Sequence, residues 1–352
     1  MLTPIFLQLS DIFSKKPPFF TSIFLGIQAF LCYTIHRQAQ KTMKTIEKFN
    51  SLVELTTYFD TEAKCKHFLK EQRWGDEVVC PYCDCTHCCQ CKDGRFKCEG
   101  CKNKFNVTVG TIFENTKIGL RKWFIAMYLI SSHKKGISSC QLARDLHITQ
   151  KTAWYILQKV RTLYAQNDEK ALVGDVEMDE MYLGGRETNK HESKKVEHTQ
   201  GRSLKTKSPI FGMTERHGNV VALHVEDTKA KTLKPIIMQF VADNAHIFTD
   251  ENNSYCGLAS EGYIHSIINH GAKEFANGNI TTNSIEGFWA HFKRSIFGIY
   301  HFVSKAHLQD YIDEMVYRWN TRKSAESERF ADMFKRHIGI VRYDDVKRVA
   351  RA

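Results

Sequence analysis

The sequence has no internal repeat and no low-complexity tract, so a stacked-repeat array and a compositionally biased linker are both excluded. Long apolar runs are scarce too. From Pro17 to His36 there is no Asp, Glu, Lys or Arg, and this stretch lies between Lys15-Lys16 and Arg37 like a short signal anchor. Its length is at the low end for crossing a bilayer, and the rest of the chain after it reads as intracellular, so a membrane role is not expected. A second methionine opens "MKTIEKFNSLVEL" at Met43, and translation is expected to begin there, with residues 1–42 an upstream extension. Cysteine is sparse over most of the chain: eight of the twelve lie between Cys80 and Cys101, leaving four for the other 330 residues. Such clustering argues against a secreted disulfide scaffold and for metal ligation in a reducing compartment.

What is present bounds the rest. With 352 residues and 42% apolar content, the chain is long enough for two or three domains with real cores. A formal net charge of +11 favours a polyanionic partner, nucleic acid first, because Lys and Arg that neutralise phosphates release counterions. An anionic membrane surface would attract the same excess.

Hydrophobic period divides the chain into helical and strand-rich parts. "FNSLVELTTYFDTEAKCKHFLKEQRW" has helical spacing ahead of the cysteines, and residues 118–164 form a second helical block. The period then shortens: "DVEMDEMYL" (175–183), "PIFGMTE" (209–215), "NVVALHVE" (219–226) and "AHIFT" (245–249) read as strands, with "RHGN" as a turn and a helix from about Lys229 to Ala242. Residues 186–207 carry seven Lys/Arg against three Glu and read as an exposed loop. The C-terminal third returns to helix.

Cys80-Pro-Tyr-Cys83 and Cys98-Glu-Gly-Cys101 are two C-x2-C knuckles separated by 14 residues, a pattern that closes a four-thiolate zinc site with no open position. Cys85, His87, Cys88, Cys89 and Cys91 lie between them as competing ligands; the outer four are preferred because Phe96 and Phe105 bracket the second knuckle. "GISSCQLARDLHITQKTAWYILQKV" reads as a helix-turn-helix, with Ser138 or Ser139 capping the first helix and Thr149 the second. Ile148, Trp154, Leu157 and Val160 are expected in its core. Gln150, Lys151, Thr152 and Tyr155 are then exposed at the start of the second helix, where side chains reach base edges.

Three acids remain. Asp179 lies in a strand, Asp250 directly follows one, and Glu286 sits on a helix in "TTNSIEGFWAHFKR". Lys293, seven residues on, shares its face, with Asn283 and Trp289 beside it. Hard cations need several converging carboxylate oxygens, and Glu177 or Glu180 competes with Asp179 for that role.

From about Met43 to Lys323 the chain resembles the DDE-type transposases of bacterial insertion sequences, specifically the zinc-ribbon-containing, ISXO2-like group. The resemblance rests on "CPYC…CEGC" with "GTIFENTK", on the helix-turn-helix, and on "VEMDEMYLGG", "FTDENNSY", "YIHSIINH" and "TTNSIEGFWAHFKRSIFGIYHFVS". It implies an α+β multidomain protein: an N-terminal zinc ribbon and helix-turn-helix, then a ribonuclease H-like mixed-sheet catalytic domain. The layout expected is N-terminal helices at 43–78, ribbon at 79–110, helix-turn-helix at 111–168, catalytic domain at 172–325 and a C-terminal tail at 326–352. The resemblance makes Asp179, Asp250 and Glu286 the catalytic triad holding Mg²⁺ or Mn²⁺, and Lys293 the basic residue that grips a phosphate or terminal base. Asn283 and Trp289 would help place the DNA end, with core packing an equal reading of Trp289; His265 and His270 would order the site or serve structure alone. The activity implied is cleavage at the element's terminal repeats and strand transfer to target DNA by a homo-oligomer, in the cytoplasm at the nucleoid, with no small-molecule substrate. The competing reading is a zinc-ribbon, helix-turn-helix regulator that binds DNA without catalysis.

Overall fold

The computed structural model describes residues 49, 51–165, 172–184, 191–196, 203–268, 281–336 and 341–346. The expected extension, the apolar stretch at 17–36 and His270 lie outside them. No described helix is long and apolar enough to cross a membrane. The chain divides into two compact units, one containing Lys66–Val107 and the other Glu47–Cys65 with Thr108–Ala352.

Two helices precede the knuckles, α1 (Leu52–Tyr58), capped by the Ser51 hydroxyl, and α2 (Glu62–Trp74). The first unit takes the second part of α2 and three short antiparallel strands, β1 (Cys88–Gln90), β2 (Phe96–Cys98) and β3 (Lys104–Phe105). So small a sheet cannot bury a core alone, and aromatic rings supply it. Trp74 meets Phe96 and Phe105 edge-on, at 5.6 and 5.9 Å between centroids, and Phe96 and Phe105 are themselves 5.8 Å apart.

In the second unit, α3 (Leu120–Ser132) is apolar almost all round and correspondingly buried. Helices α4 (Ser139–Leu146) and α5 (Gln150–Arg161) form the helix-turn-helix. Ser138 accepts from the Gln141 amide at 3.1 Å, Thr149 accepts from Thr152, and His147 turns the chain at φ 49° between the helices. Ile148 and Trp154 are only half-buried, unlike the core positions expected of them; the interior is filled by Leu142, Leu146, Ala153, Ile156, Leu157 and Val160.

The strand-rich part is a five-stranded mixed sheet of β4 (Asp175–Leu183), β5 (Ser208–Glu215), β6 (Val220–His224), β7 (His246–Thr249) and β8 (Ile264–Ile267), ordered β6-β5-β4-β7-β8. β4 pairs antiparallel with β5 and parallel with β7, and β7 pairs parallel with β8. Helix α6 (Ala230–Phe240) packs on one face with Val176, Met178 and Ile247. Helices α7 (Asn283–Ser295) and α8 (Leu308–Asn320) cover the other with Met181 and Ile210. Strand β8, not anticipated from the sequence, is a four-residue edge strand with Ile264 and Ile267 exposed, so it lacks the buried alternation that betrays a strand.

Two features tie the helical part to the sheet within this unit. Arg161 of α5 and Arg318 of α8 both bond the buried Glu314, at 2.7 and 2.6 Å, and burial of that carboxylate is outweighed by the two guanidiniums, which hold its pKa low. Residues 326–352, expected as a tail, instead begin with helix α9 (Glu326–Lys335), whose Phe330 and Phe334 pack against Phe124 of α3 at 6.1 and 5.2 Å. A short helix, α10 (Tyr343–Val346), ends the described chain.

Candidate active site and metal-binding knuckles

The sulfurs of Cys80, Cys83, Cys98 and Cys101 all lie within 4.8 Å of one another. Cys80 to Cys101 and Cys83 to Cys98 are both 3.6 Å. Four Zn–S bonds of about 2.3 Å at tetrahedral angles set sulfur-to-sulfur distances of about 3.8 Å, so the donor set fits zinc. Among the described residues no inner cysteine joins this group, nor does His87. Cys88 lies opposite Cys98 across β1 and β2 yet stays outside the four-sulfur group, and Cys89 turns outward to the Glu99 carboxylate.

The acids assemble around the centre of the sheet. β4 and β7 run parallel with Asp175 opposite His246 and Glu177 opposite Phe248, and continuing that register sets Asp250 beside Asp179. Oxygens of Asp179, Glu180 and Asp250 fall within 4.8 Å of one another. Burial raises the Asp179 pKa to about 6, helped by the charges of Asp250 and Glu286. Burial raises Glu180 to about 7, helped by Asp250 and Asp179. Glu286 is therefore close enough for its charge to act on Asp179, although it stands outside the tighter three-acid group.

Alternation along β4 gives neighbouring acids different partners. Asp179 accepts the Trp289 indole N–H at 3.1 Å and the Glu180 amide at 2.8 Å. Glu180 accepts from the Tyr255 hydroxyl and, at 3.3 Å, from the Asn252 side chain; the Asn252 amide donates in turn to Asp250 at 3.1 Å. Glu177, two residues before Asp179, is buried and takes no part in the acidic group. It accepts from the amides of Ser284 and Ile285 at 2.7 and 3.2 Å and from Arg216 Nε at 3.0 Å.

Trp289 is 4% exposed, which makes it a packing residue and a donor to Asp179 rather than a surface contact for DNA. Its ring crosses β5 at Gly212, the cross-strand partner of Asp179; a Cβ there would meet the indole, with Cη2 at 2.6 Å. Sequence reasoning left Trp289 open between the two roles and missed Gly212. Asn283, Glu286 and Lys293 lie on the solvent face of α7, with Phe297 continuing the stripe at 59% exposure beyond the helix. His265 bonds the buried Thr249 hydroxyl at 2.9 Å, and Thr249 donates to the Asp250 carbonyl, so this histidine braces the end of β7.

On the helix-turn-helix, Gln150 and Lys151 are exposed, and Gln150 bonds Ser139 at 2.7 Å. Thr152 is engaged with the Thr149 hydroxyl at 2.8 Å. Tyr155, expected to face DNA, is covered by the segment 341–346: its hydroxyl reaches the Val341 carbonyl at 3.5 Å and its ring lies 5.5 Å from that of Tyr343. The buried Val346 anchors that segment.

Residues 171–320 match the model of the ISXO2-like transposase domain, and residues 60–104 match that of the transposase zinc-ribbon domain. An uncharacterized protein in transposable element ISH50 of Halobacterium salinarum is 28% identical over 243 residues, 65% of this chain and 81% of that protein. An uncharacterized transposase-like protein of Haemophilus influenzae is 32% identical over 101 residues, 29% of this chain and 80% of the relative. The first match takes in the whole mixed sheet and α7, and the second model takes in the four converging cysteines. The chain belongs to the ISXO2-like transposases, with a DDE domain and a zinc ribbon in one polypeptide.

Proposed function

We propose that this transposase cleaves DNA at the ends of its own insertion sequence and joins them to target DNA, using Mg²⁺ or Mn²⁺ held by Asp179, Asp250 and Glu286. The observation that carries this reading is the acidic convergence at β4 and β7, where burial and like charge raise Asp179 and Glu180 together. Partly buried carboxylates that repel one another suit a hard cation, whose charge offsets the repulsion. Divalent ions bound there would lower the pKa of the attacking water or 3′-hydroxyl and stabilise the leaving oxygen.

The chain's own groups do the rest. Trp289 and the Glu180 amide hold the Asp179 carboxylate, the Asn252 amide holds Asp250, and Glu286 approaches from the helix side. Lys293, two turns along the same exposed stripe, holds a phosphate of the DNA end, and Asn283 stands at its start. Gln150 and Lys151 offer DNA contacts, Thr152 serves first as part of the cap, and Tyr155 contributes only where the segment 341–346 withdraws. Cys80, Cys83, Cys98 and Cys101 hold zinc, and the ribbon positions DNA. The layout proposed is helices at 43–78, ribbon at 79–110, helix-turn-helix at 111–168 and catalytic domain from 172 to about 325, acting as a homo-oligomer in the cytoplasm at the nucleoid.

The test is Glu286→Gln on supercoiled plasmid bearing the element ends. The variant should fold, carry zinc and bind the ends as the wild type does, yet neither nick nor join them in Mg²⁺ or Mn²⁺; Asp179→Asn and Asp250→Asn should match it. Robust joining by Glu286→Gln refutes the assignment. End binding without any cleavage by the wild type favours the non-catalytic regulator.

A further inference from the structure

We infer that Glu177, held by Arg216, is a positioning residue that fixes the first turn of α7, and with it Glu286, to the strand that carries Asp179. The inference rests on the reading of Glu286 as a metal ligand. The first amides of any helix lack internal acceptors, and a side chain at the N-cap usually supplies one. Thr282, at the N-cap of α7, makes no such bond. The acceptor comes instead from β4, 107 residues away in sequence, as Glu177 Oε2 takes the Ser284 amide at 2.7 Å and the Ile285 amide at 3.2 Å.

The same carboxylate is held from its other side. Arg216, the residue that follows β5, donates through Nε to Glu177 Oε1 at 3.0 Å, through one terminal nitrogen to Asp175 at 3.3 Å and through the other to the Thr281 carbonyl at 3.2 Å. Its guanidinium lies 4.0 Å from the centre of the Phe248 ring on β7. One arginine thus joins the ends of β4 and β5, a ring of β7 and the residue that leads into α7. Glu177 is 1% exposed, so its charge is sheltered from solvent and committed to these partners.

Geometry turns this tie into a control on the site. Glu177 and Asp179 are alternate residues of one strand and share a face, separated by about 7 Å. Glu286 follows Ser284 and Ile285 within the same helical turn. The chain of rigid links from Asp179 to Glu286 is therefore short: two strand residues, one carboxylate, one helix turn. A local Thr282 cap would stabilise the helix equally well without setting its distance from β4. Groups that orient metal ligands commonly change affinity by about 10- to 100-fold when removed.

The experiment uses the zinc-loaded full chain and Mn²⁺ as the probe, read by calorimetric or paramagnetic-resonance titration alongside cleavage. Glu177→Gln keeps one oxygen for the helix amides but presents N–H where Arg216 or an amide needs an acceptor. It should weaken Mn²⁺ binding about tenfold and raise the Mg²⁺ concentration for half-maximal cleavage to a similar degree, with end binding unchanged. Ile237→Val, or Ile237→Ala if needed to match the Tm loss, alters α6 on the opposite face of the sheet. It should leave Mn²⁺ affinity as it was. The double variant Glu177→Gln/Glu286→Gln should bind Mn²⁺ no more weakly than Glu286→Gln, because the two act through one ligand. Wild-type Mn²⁺ affinity in Glu177→Gln, a loss no larger than that of the Ile237 variant, or additive loss in the double variant overturns the inference. If Glu286→Gln itself binds Mn²⁺ normally, the ligand assignment falls and the positioning role falls with it; if only Glu286→Gln loses affinity, the positioning role alone is refuted.

Discussion

Replacing Glu180 with Gln should make the metal-free protein more stable, and increasingly so as the pH rises. Glu180 is 9% exposed, and burial with the neighbouring charges of Asp250 and Asp179 raises its pKa from 4.5 to about 7. The unfolded chain releases this proton near the ordinary value. Between the two values the native state holds more protons than the unfolded one, so stability falls as pH rises through that window. At about 1.36 kcal/mol per unit of pKa difference, the penalty deepens by about 2 kcal/mol between about pH 5.5 and about pH 8. Glutamine has nothing to ionise and escapes that fall. Its hydrogen bonding changes little, because the amide oxygen still accepts from Asn252 and the Tyr255 hydroxyl can turn to accept from the new N–H. Thermal unfolding of zinc-loaded protein, in buffer free of both divalent cations and chelators, should show the advantage of the variant growing by roughly 5 °C across that pH range. Millimolar Mg²⁺ should narrow the gap at high pH, since a bound cation offsets the repulsion in the wild type. A variant that melts below the wild type at high pH, or a gap that does not change with pH, refutes the electrostatic account of this cluster.

Cys98→Ser should abolish stoichiometric zinc and melt the ribbon, because metal affinity supplies folding energy to so small a unit; full zinc occupancy in the variant would hand the site to the inner cysteines. Gly212→Ala should push the Trp289 ring off β5, costing about 1 to 3 kcal/mol and breaking the bond to Asp179, so that Tm and cleavage fall together. Wild-type values for both would show that the indole can shift without loss.

Much of the architecture was written in local pattern. Strand β4 falls on the residues whose alternation marked it, the caps at Ser138 and Thr149 form as their side-chain chemistry requires, and the hairpin turn at 216–219 joins β5 to β6. Knuckle spacing, with Phe96 and Phe105 bracketing the second knuckle, singled out the four cysteines whose sulfurs converge. Each depends on residues close in sequence, or on a period that is read within one element.

What needed the tertiary structure was the division of labour among residues of the same type. Glu177, Asp179 and Glu180 are indistinguishable as acids in one strand, yet the fold gives the first to a helix terminus and Arg216, the second to Trp289 and the third to Tyr255. Tyr155 carries no mark in the sequence of being covered by residues 341–346, nor does Phe334 of belonging to the core of α3. The sequence by itself determined which elements form and which donor atoms exist, because short-range sterics, capping and periodicity act within a few residues. Only the folded chain decided which of those atoms meet, because their meeting depends on strand register and helix packing between segments a hundred or more residues apart.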